Sequence, residues 1–270
     1  MKFIKMTLAF LFAFVTVQVS AEGTKMDITA PAPEVLSTYY AAKAQSADKV
    51  KSKLKANGFS ILATTEPIKG STVITVTNQE LKNTNSWLAT LNVLVNEKEV
   101  RVQNPSYFGA AYLQDKFKYG QFAGTLKSLQ KALGDLHTVA DEFKLAKLPK
   151  YQFMMGMAYV EDTIEVGEGA DLDTKLKDNK YVSYSLKLPN GSTLVGHNLV
   201  SRTNKFLLKI DAGHNALILP YRSMIKDGKA VMLDPKYYLA VSLPLLSMGE
   251  FMKIASTPAE IEKDIKRTYK

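Results

Sequence analysis

No cysteine occurs among the 270 residues. That absence excludes disulfides, thiol catalysis, Cys-ligated zinc and covalently attached c-type haem. Histidine is scarce, with only His137, His197 and His214, and there is a single tryptophan, Trp87. No Gly-x-Ser-x-Gly nucleophile elbow is present, and Ser223, beside Arg222, has no base near it in sequence. The lysines are scattered and not clustered with interleaved aromatics, so the basic balance of +9 does not describe a nucleic-acid surface. Beyond the N-terminus no apolar run is long enough to span a bilayer.

The N-terminus itself reads as an export signal. Lys2 and Lys5 form a basic n-region, Met6 to Val19 an apolar h-region, and Val19-Ser20-Ala21 a small-residue cleavage site. The expectation is a bacterial signal peptide over residues 1–21, cleaved after Ala21, with the product in the periplasm or secreted. Losing Lys2 and Lys5 lowers the formal charge from +9 to +7. No stable membrane insertion is expected after cleavage. The remaining chain, 46% hydrophobic and 23% charged, has ordinary globular composition.

Within it, one pattern occurs twice. Glu97-Lys98-Glu99-Val100-Arg101-Val102-Gln103-Asn104-Pro105 is a charged turn, a short apolar strand, and then Asn-Pro. Asp227-Gly228-Lys229-Ala230-Val231-Met232-Leu233-Asp234-Pro235 repeats it. Asn104 and Asp234 are N-cap residues, whose side-chain oxygens accept the free N–H groups of a helix's first turn. Pro105 and Pro235 sit at the first helical position, where a missing N–H costs nothing. Lys53-Leu54-Lys55 matches Lys175-Leu176-Lys177, Gly70-Ser71-Thr72 matches Gly191-Ser192-Thr193, and Gly120-Gln121-Phe122 matches Gly249-Glu250-Phe251. The offsets are 122, 121, 130 and 129 in chain order, reconciled by one insertion of about nine residues. Residues 22–135 and 151–270 are therefore expected to be two repeat lobes, joined by a helical linker over 136–150.

The first lobe reads β-α-β-β-β-β-α. Strands are expected at 35–42, 59–65, 71–77, 87–95 and 98–103, a helix from Ser46 to Asn57, and a loop over 81–86. Phe122, Leu126, Leu129, Leu133, Leu136, Ala140 and Phe143 are spaced 4-3-4-3-4-3, the stripe of one long helix over 121–147, with Gly134 as the point where it bends or breaks. In the second lobe, strands are expected at 151–160, 181–187, 192–201, 206–210 and 216–225. Thr257-Pro258-Ala259-Glu260 reads as a capping box opening a last helix.

The run Leu219-Pro220-Tyr221-Arg222-Ser223, Asp227-Gly228-Lys229 and Leu233-Asp234-Pro235 resembles that of domain-of-unknown-function family 302. Val100 to Pro105 and Gly58-Phe59 are similar to it in the first copy. The resemblance implies the TATA-box-binding-protein-like β-α-β4-α fold in two tandem copies, and it implies no activity. The expected fold class is α+β, two related lobes, each a curved antiparallel sheet with a long helix packed across one face.

Function is less legible than architecture. His197 and His214 lie in identical Gly-His-Asn triplets and are the weak metal or haem candidates, without a convincingly spaced third ligand. Phe153-Met154-Met155-Gly156-Met157 offers thioethers to Cu(I), although a strand would put Met154 opposite Met155 and Met157, and methionine often fills cores. The acidic stretch from Glu161 to Asp173 lacks the EF-hand order and reads as a solvated loop. The expectation is a non-catalytic module that binds a small apolar or amphipathic ligand or a partner, without cofactor. Its groove would lie between a helix bearing Phe122 and Leu126 and a strand bearing Trp87, with Tyr107 and Tyr237 as further aromatic lining. The alternatives are a hydrolase-like periplasmic enzyme whose site the sequence does not reveal, and a metal or haem carrier. Oligomeric state is open.

Overall fold

The computed structural model describes residues 23–270; the expected signal peptide and its cleavage site lie outside the described residues. The fold is α+β with antiparallel sheets. The first lobe contains β1 (Val35–Ser37), β2 (Tyr39–Lys43), α1 (Ala47–Ala56), β3 (Ser60–Ile68), β4 (Ser71–Thr77), α2 (Gln79–Lys82), β5 (Leu91–Val95), β6 (Glu99–Gln103), α3 (Pro105–Leu113) and α4 (Ala123–Leu133). Next come β7 (His137–Thr138) and β8 (Glu142–Lys144). The second lobe has β9 (Thr163–Glu168), β10 (Val182–Lys187), β11 (Thr193–His197), α5 (Ser201–Asn204), α6 (Phe206–Lys209), β12 (Tyr221–Lys226), β13 (Lys229–Leu233), α7 (Pro235–Ser242), α8 (Met248–Lys253) and α9 (Thr257–Lys266).

The first sheet has the order β3-β4-β5-β6-β2, extended by β7; the second has the order β10-β11-β12-β13-β9. Strand for strand, the two five-stranded orders are the same. In each, the last central strand runs into a capped helix as the junction chemistry requires. Asn104 Oδ1 accepts from the N–H of Ser106 at 2.9 Å, and Asp234 Oδ1 from Lys236 at 2.7 Å. Asn104 is buried and also donates from Nδ2 to the Ser37 carbonyl at 2.7 Å, which Asp234 cannot do. Asp234→Ala should therefore cost about 1 kcal/mol. Asn104→Ala should cost about 2 kcal/mol, because a second buried bond goes with the cap. Urea unfolding of the two variants measures the difference.

Period-two alternation divides each sheet into two faces. On the first, Ile74, Val76, Leu91, Val93, Val100 and Val102 are buried on one side, in the core that also takes Val50 and Leu54 of α1 and Leu126 and Leu129 of α4. The other side carries Thr75, Asn92, Arg101 and Gln103, also buried. This polar face meets the second lobe: Asn92 Nδ2 donates to the carbonyls of Leu217 and Leu219, and Arg101 Nη1 to Asn215 Oδ1. Opposite it, Arg222 donates to Gln103 Oε1 and to the Trp87 carbonyl. The lobes thus share one continuous core and a hydrogen-bonded layer between their sheets.

The bonding between the lobes is reciprocal, between helices α3 and α7 as well as between the sheets. The Tyr107 hydroxyl donates to the Val241 carbonyl at 2.9 Å, and the Tyr237 hydroxyl to the Ala111 carbonyl at 3.3 Å. Residues 107 and 237, and 111 and 241, are each separated by the same 130 positions as Asn104 and Asp234. Asn92 reaching Leu217 and Arg222 reaching Trp87 form a second such exchange at that same offset. Each lobe gives the other what it receives, as around a two-fold axis.

Several expected elements differ. The long helix over 121–147 ends at Leu133, because Gly134 takes φ +95°, a C-terminal stop that an L side chain resists. The 136–150 segment is then β7, β8 and a 3₁₀ turn over Leu145–Lys150, not a helical linker. Residues 151–160 form turns, with Gly156 at φ +84°, and β9 follows inside the acidic stretch. Phe206 to Lys209 is helical, and 216–218 belongs to a 3₁₀ turn. Residues 79–82 and 87–89 are short helical turns, so Trp87 is not on a strand. The capping box occurs one helix earlier than expected: Ser247 and Glu250 form it at α8, whereas α9 begins after Ser256 without a side-chain cap bond.

Candidate functional site

Where the edge of the first sheet meets the second lobe, the surfaces diverge. The end of β3 (Thr65, Glu66, Pro67) forms one wall of a cavity of about 280 Å³. The end of β11 and the turn after it (His197, Asn198, Leu199), α5 (Ser201, Asn204) and Leu219-Pro220 form the rest. One local bond sets the gap: Asn204 Nδ2 donates to the Pro67 carbonyl at 3.1 Å, tying α5 to β3 across the two lobes. Leu199, Leu219 and Pro220 give it apolar lining, while Glu66, Asn198 and Ser201 add charge and polarity.

Two of the lining residues carry an unpaired polar atom. Thr65 Oγ1 and Asn204 Oδ1 are shielded from solvent and have no hydrogen-bond partner among the described residues. Buried polar atoms are ordinarily paired, because losing water without a replacement costs about 1–3 kcal/mol. An accepting amide oxygen, a hydroxyl and the nearby Glu66 carboxylate make this a place for a donor-bearing molecule with an apolar side.

Behind the cavity wall, His197 belongs to a buried hydroxyl network. Its Nε2 lies 2.6 Å from Ser223 Oγ and its Nδ1 2.9 Å from Thr268 Oγ1. Ser223 Oγ is in turn 2.5 Å from the Tyr269 hydroxyl. Antiparallel pairing of β11 with β12, Val195 against Ser223 and His197 against Tyr221, places the two side chains diagonally on one face. Ser223 thus has an imidazole within reach that its sequence neighbours did not disclose. The pair has the spacing of a nucleophile and its base. Its environment is wrong for that task. Ser223 is fully buried, His197 meets a hydroxyl in place of a carboxylate, and burial pushes the His197 pKa down to about 3. The geometry favours a neutral, structural histidine.

Comparison with family models, with curated proteins and with solved structures returned no match. The site therefore has to be judged on its own chemistry.

None of the five residues nominated as aromatic or apolar lining lines this cavity; Tyr107, Phe122, Leu126 and Tyr237 are part of the core and Trp87 packs against it. Trp87 is half-buried at the seam between the lobes, packed against the small cluster of Ala89, Leu188 and Leu194. Phe122 and Leu126 are buried in the first lobe, Phe122 stacked 6.4 Å from Phe117. Tyr107 and Tyr237 are buried with their hydroxyls committed to the opposite lobe, as described above. His214 lies in a 3₁₀ turn apart from the His197 network. Both ring nitrogens of His197 are already occupied, and no group of three or more His, Asp or Glu able to hold a metal occurs among the described residues. Arg222, fully buried with Nε unpaired among the described residues, was masked in sequence by its place in an alternating strand.

Proposed function

We propose that the protein is an exported, non-catalytic binding module that holds a small amphipathic ligand in the cavity between its lobes. The observation that carries this is the inter-lobe cavity itself, two of whose lining residues, Thr65 and Asn204, each keep a buried oxygen without a partner among the described residues. At about 280 Å³ the cavity sits at the small end of ligand sites, which suits a compact molecule with an amine or hydroxyl groups on one side. In this proposal the two lobes are a tandem duplication, each copy akin to family 302. The shared strand order, the four matched sequence segments and the reciprocal bonds support that reading. The N-terminal signal pattern supports a periplasmic or secreted location.

The test is a thermal-shift screen of small hydroxylated and amine-bearing amphiphiles. A ligand at a hundred times its Kd stabilises by about 2.7 kcal/mol. For a chain of this size that raises Tm by roughly 5–10 °C. Ser201→Trp, which fills the cavity from an exposed helix position, should abolish the shift and leave the ligand-free Tm unchanged. A screen without any shift, or a shift that survives Ser201→Trp, would remove the support for this site.

A further inference from the structure

Six of the eight exposed large hydrophobic residues among the described residues fall on two short segments: Met154, Met155 and Tyr159 on one, Leu245, Met248 and Met252 on the other. The segments touch, with Phe153 and Phe251 in ring contact at 5.4 Å. Beside them lies a depression of about 450 Å³, lined by Met157, Phe251, the turn residues Gly156 and Ala158, and the charged Asp162, Asp234 and Lys236. The methionines are the unusual part. Met155 is 96% exposed, Met252 63%, Met154 46% and Met248 42%. Ten methionines occur in the chain, and five of them lie on these two segments.

The strand expected for 151–160 would have buried these side chains or split them between two faces. The turn does neither. Met157 N–H donates to the Met154 carbonyl, and Gln152 Nε2 holds the Met157 carbonyl, so the loop closes on itself and displays Met154 and Met155 at its tip. On α8, Met248 and Met252 are four residues apart and share one side of the helix. Phe153 and Phe251 hold the loop against α8, with the methionines exposed on either side of that contact. Unbranched thioether arms on a turn with few other bonds can converge without moving a core residue.

The geometry points to a binding site for a soft monovalent cation, Cu(I) or its surrogate Ag(I), held by thioethers of the loop (Met154, Met155, Met157) and of α8 (Met248, Met252). Thioethers are neutral, polarisable donors that prefer Cu(I) and discriminate against hard divalent ions. A purely apolar docking face would accept leucine or isoleucine at these positions equally well; a metal site would not. The site does not depend on the inter-lobe ligand reading, since it shares no residue with that cavity.

The experiment is anaerobic titration with Cu(I) against a chromogenic Cu(I) chelator. A parallel titration uses Ag(I), following the ¹³C-labelled methionine methyl resonances. One equivalent of Cu(I) should be withdrawn from the chelator. Ag(I) should shift the methyls of exposed methionines and leave those of buried Met26 and Met232 in place. Leucine at 154, 155, 248 and 252 together keeps the surface apolar and the fold intact by circular dichroism, and should weaken Cu(I) at least 100-fold. Equal Cu(I) binding by wild type and the leucine variant would overturn the proposal. So would shifts confined to the core methionines, or no uptake at all.

Discussion

Acid should begin to destabilise this protein at a pH above the carboxylate range, with a loss on the order of 5 kcal/mol in total between pH 6.5 and 3. The source is His197. In the fold it is buried and neutral, with its pKa lowered from 6.5 to about 3 by loss of water around the charged form. In the unfolded chain it titrates at its ordinary value. Between those two values the unfolded state binds a proton that the folded state refuses, so stability falls as pH falls. Above pH 6.5 both states are neutral and the contribution is constant; below about 3 it is again constant. The slope within the window should be about 1.4 kcal/mol per pH unit. His214 is shifted in the same direction but is exposed, so solvent screening leaves it little weight in this window. Asp173 and Glu250, both lowered by hydrogen bonds, steepen only its acid end. Urea unfolding at several pH values measures the slope. His197→Gln should be less stable at pH 7, yet flatter than wild type by about one proton. An unchanged slope in that variant would show that the proton goes elsewhere.

Gly196→Ala should cost about 3 kcal/mol or more, a large effect for one methyl group. Gly196 lies on β11 directly opposite Tyr184 of β10, and a Cβ there would overlap Cε1 of the Tyr184 ring and crowd Ser183 Oγ. The ring cannot simply swing away. Its hydroxyl lies 3.2 Å from Thr90 Oγ1, so it reaches from the second sheet into the first lobe. Displacing it opens the layer between the lobes, and not only one strand. A double-mutant cycle makes the cause visible: Tyr184→Leu should be destabilising alone, but Gly196→Ala should cost much less in its presence. Additive costs would place the strain somewhere other than the ring.

How much of this was legible beforehand depended on whether a local rule acted alone. The Asn104-Pro105 and Asp234-Pro235 junctions were readable, because a cap and a proline at the first helical position need nothing from the rest of the chain. The strands on either side of Asn96-Glu97 and Asp227-Gly228 were readable for the same reason. Leu136 and Phe143 misled because they continue the 4-3 stripe of α4. Leu136 is fully buried and Phe143 packs on the core, so the spacing reported burial correctly and helix wrongly. Phe206 to Ile210 is too short an apolar run for its period to separate helix from strand. The cavity was illegible. It depends on how far α5 stands from β3, and on Thr65 and Asn204 lacking partners, neither of which a single segment encodes. The closeness of His197 to Ser223 needed the register of two strands separated by a long helical excursion.

The exchange of bonds between the lobes also has a consequence for what such a layer is able to contain. Asn92 and Arg222 stand at matching places, one neutral and one a guanidinium. Two copies of a single chain meeting on the same surfaces would have to present identical groups there. Two arginines would bring twin buried cations face to face; two asparagines would leave no charge at all. Joining both halves in one polypeptide releases them from that constraint. Each half of the seam can differ from its counterpart, so under the proposed duplication an initially self-complementary surface is free to become lopsided, with a wall on one side and an opening on the other.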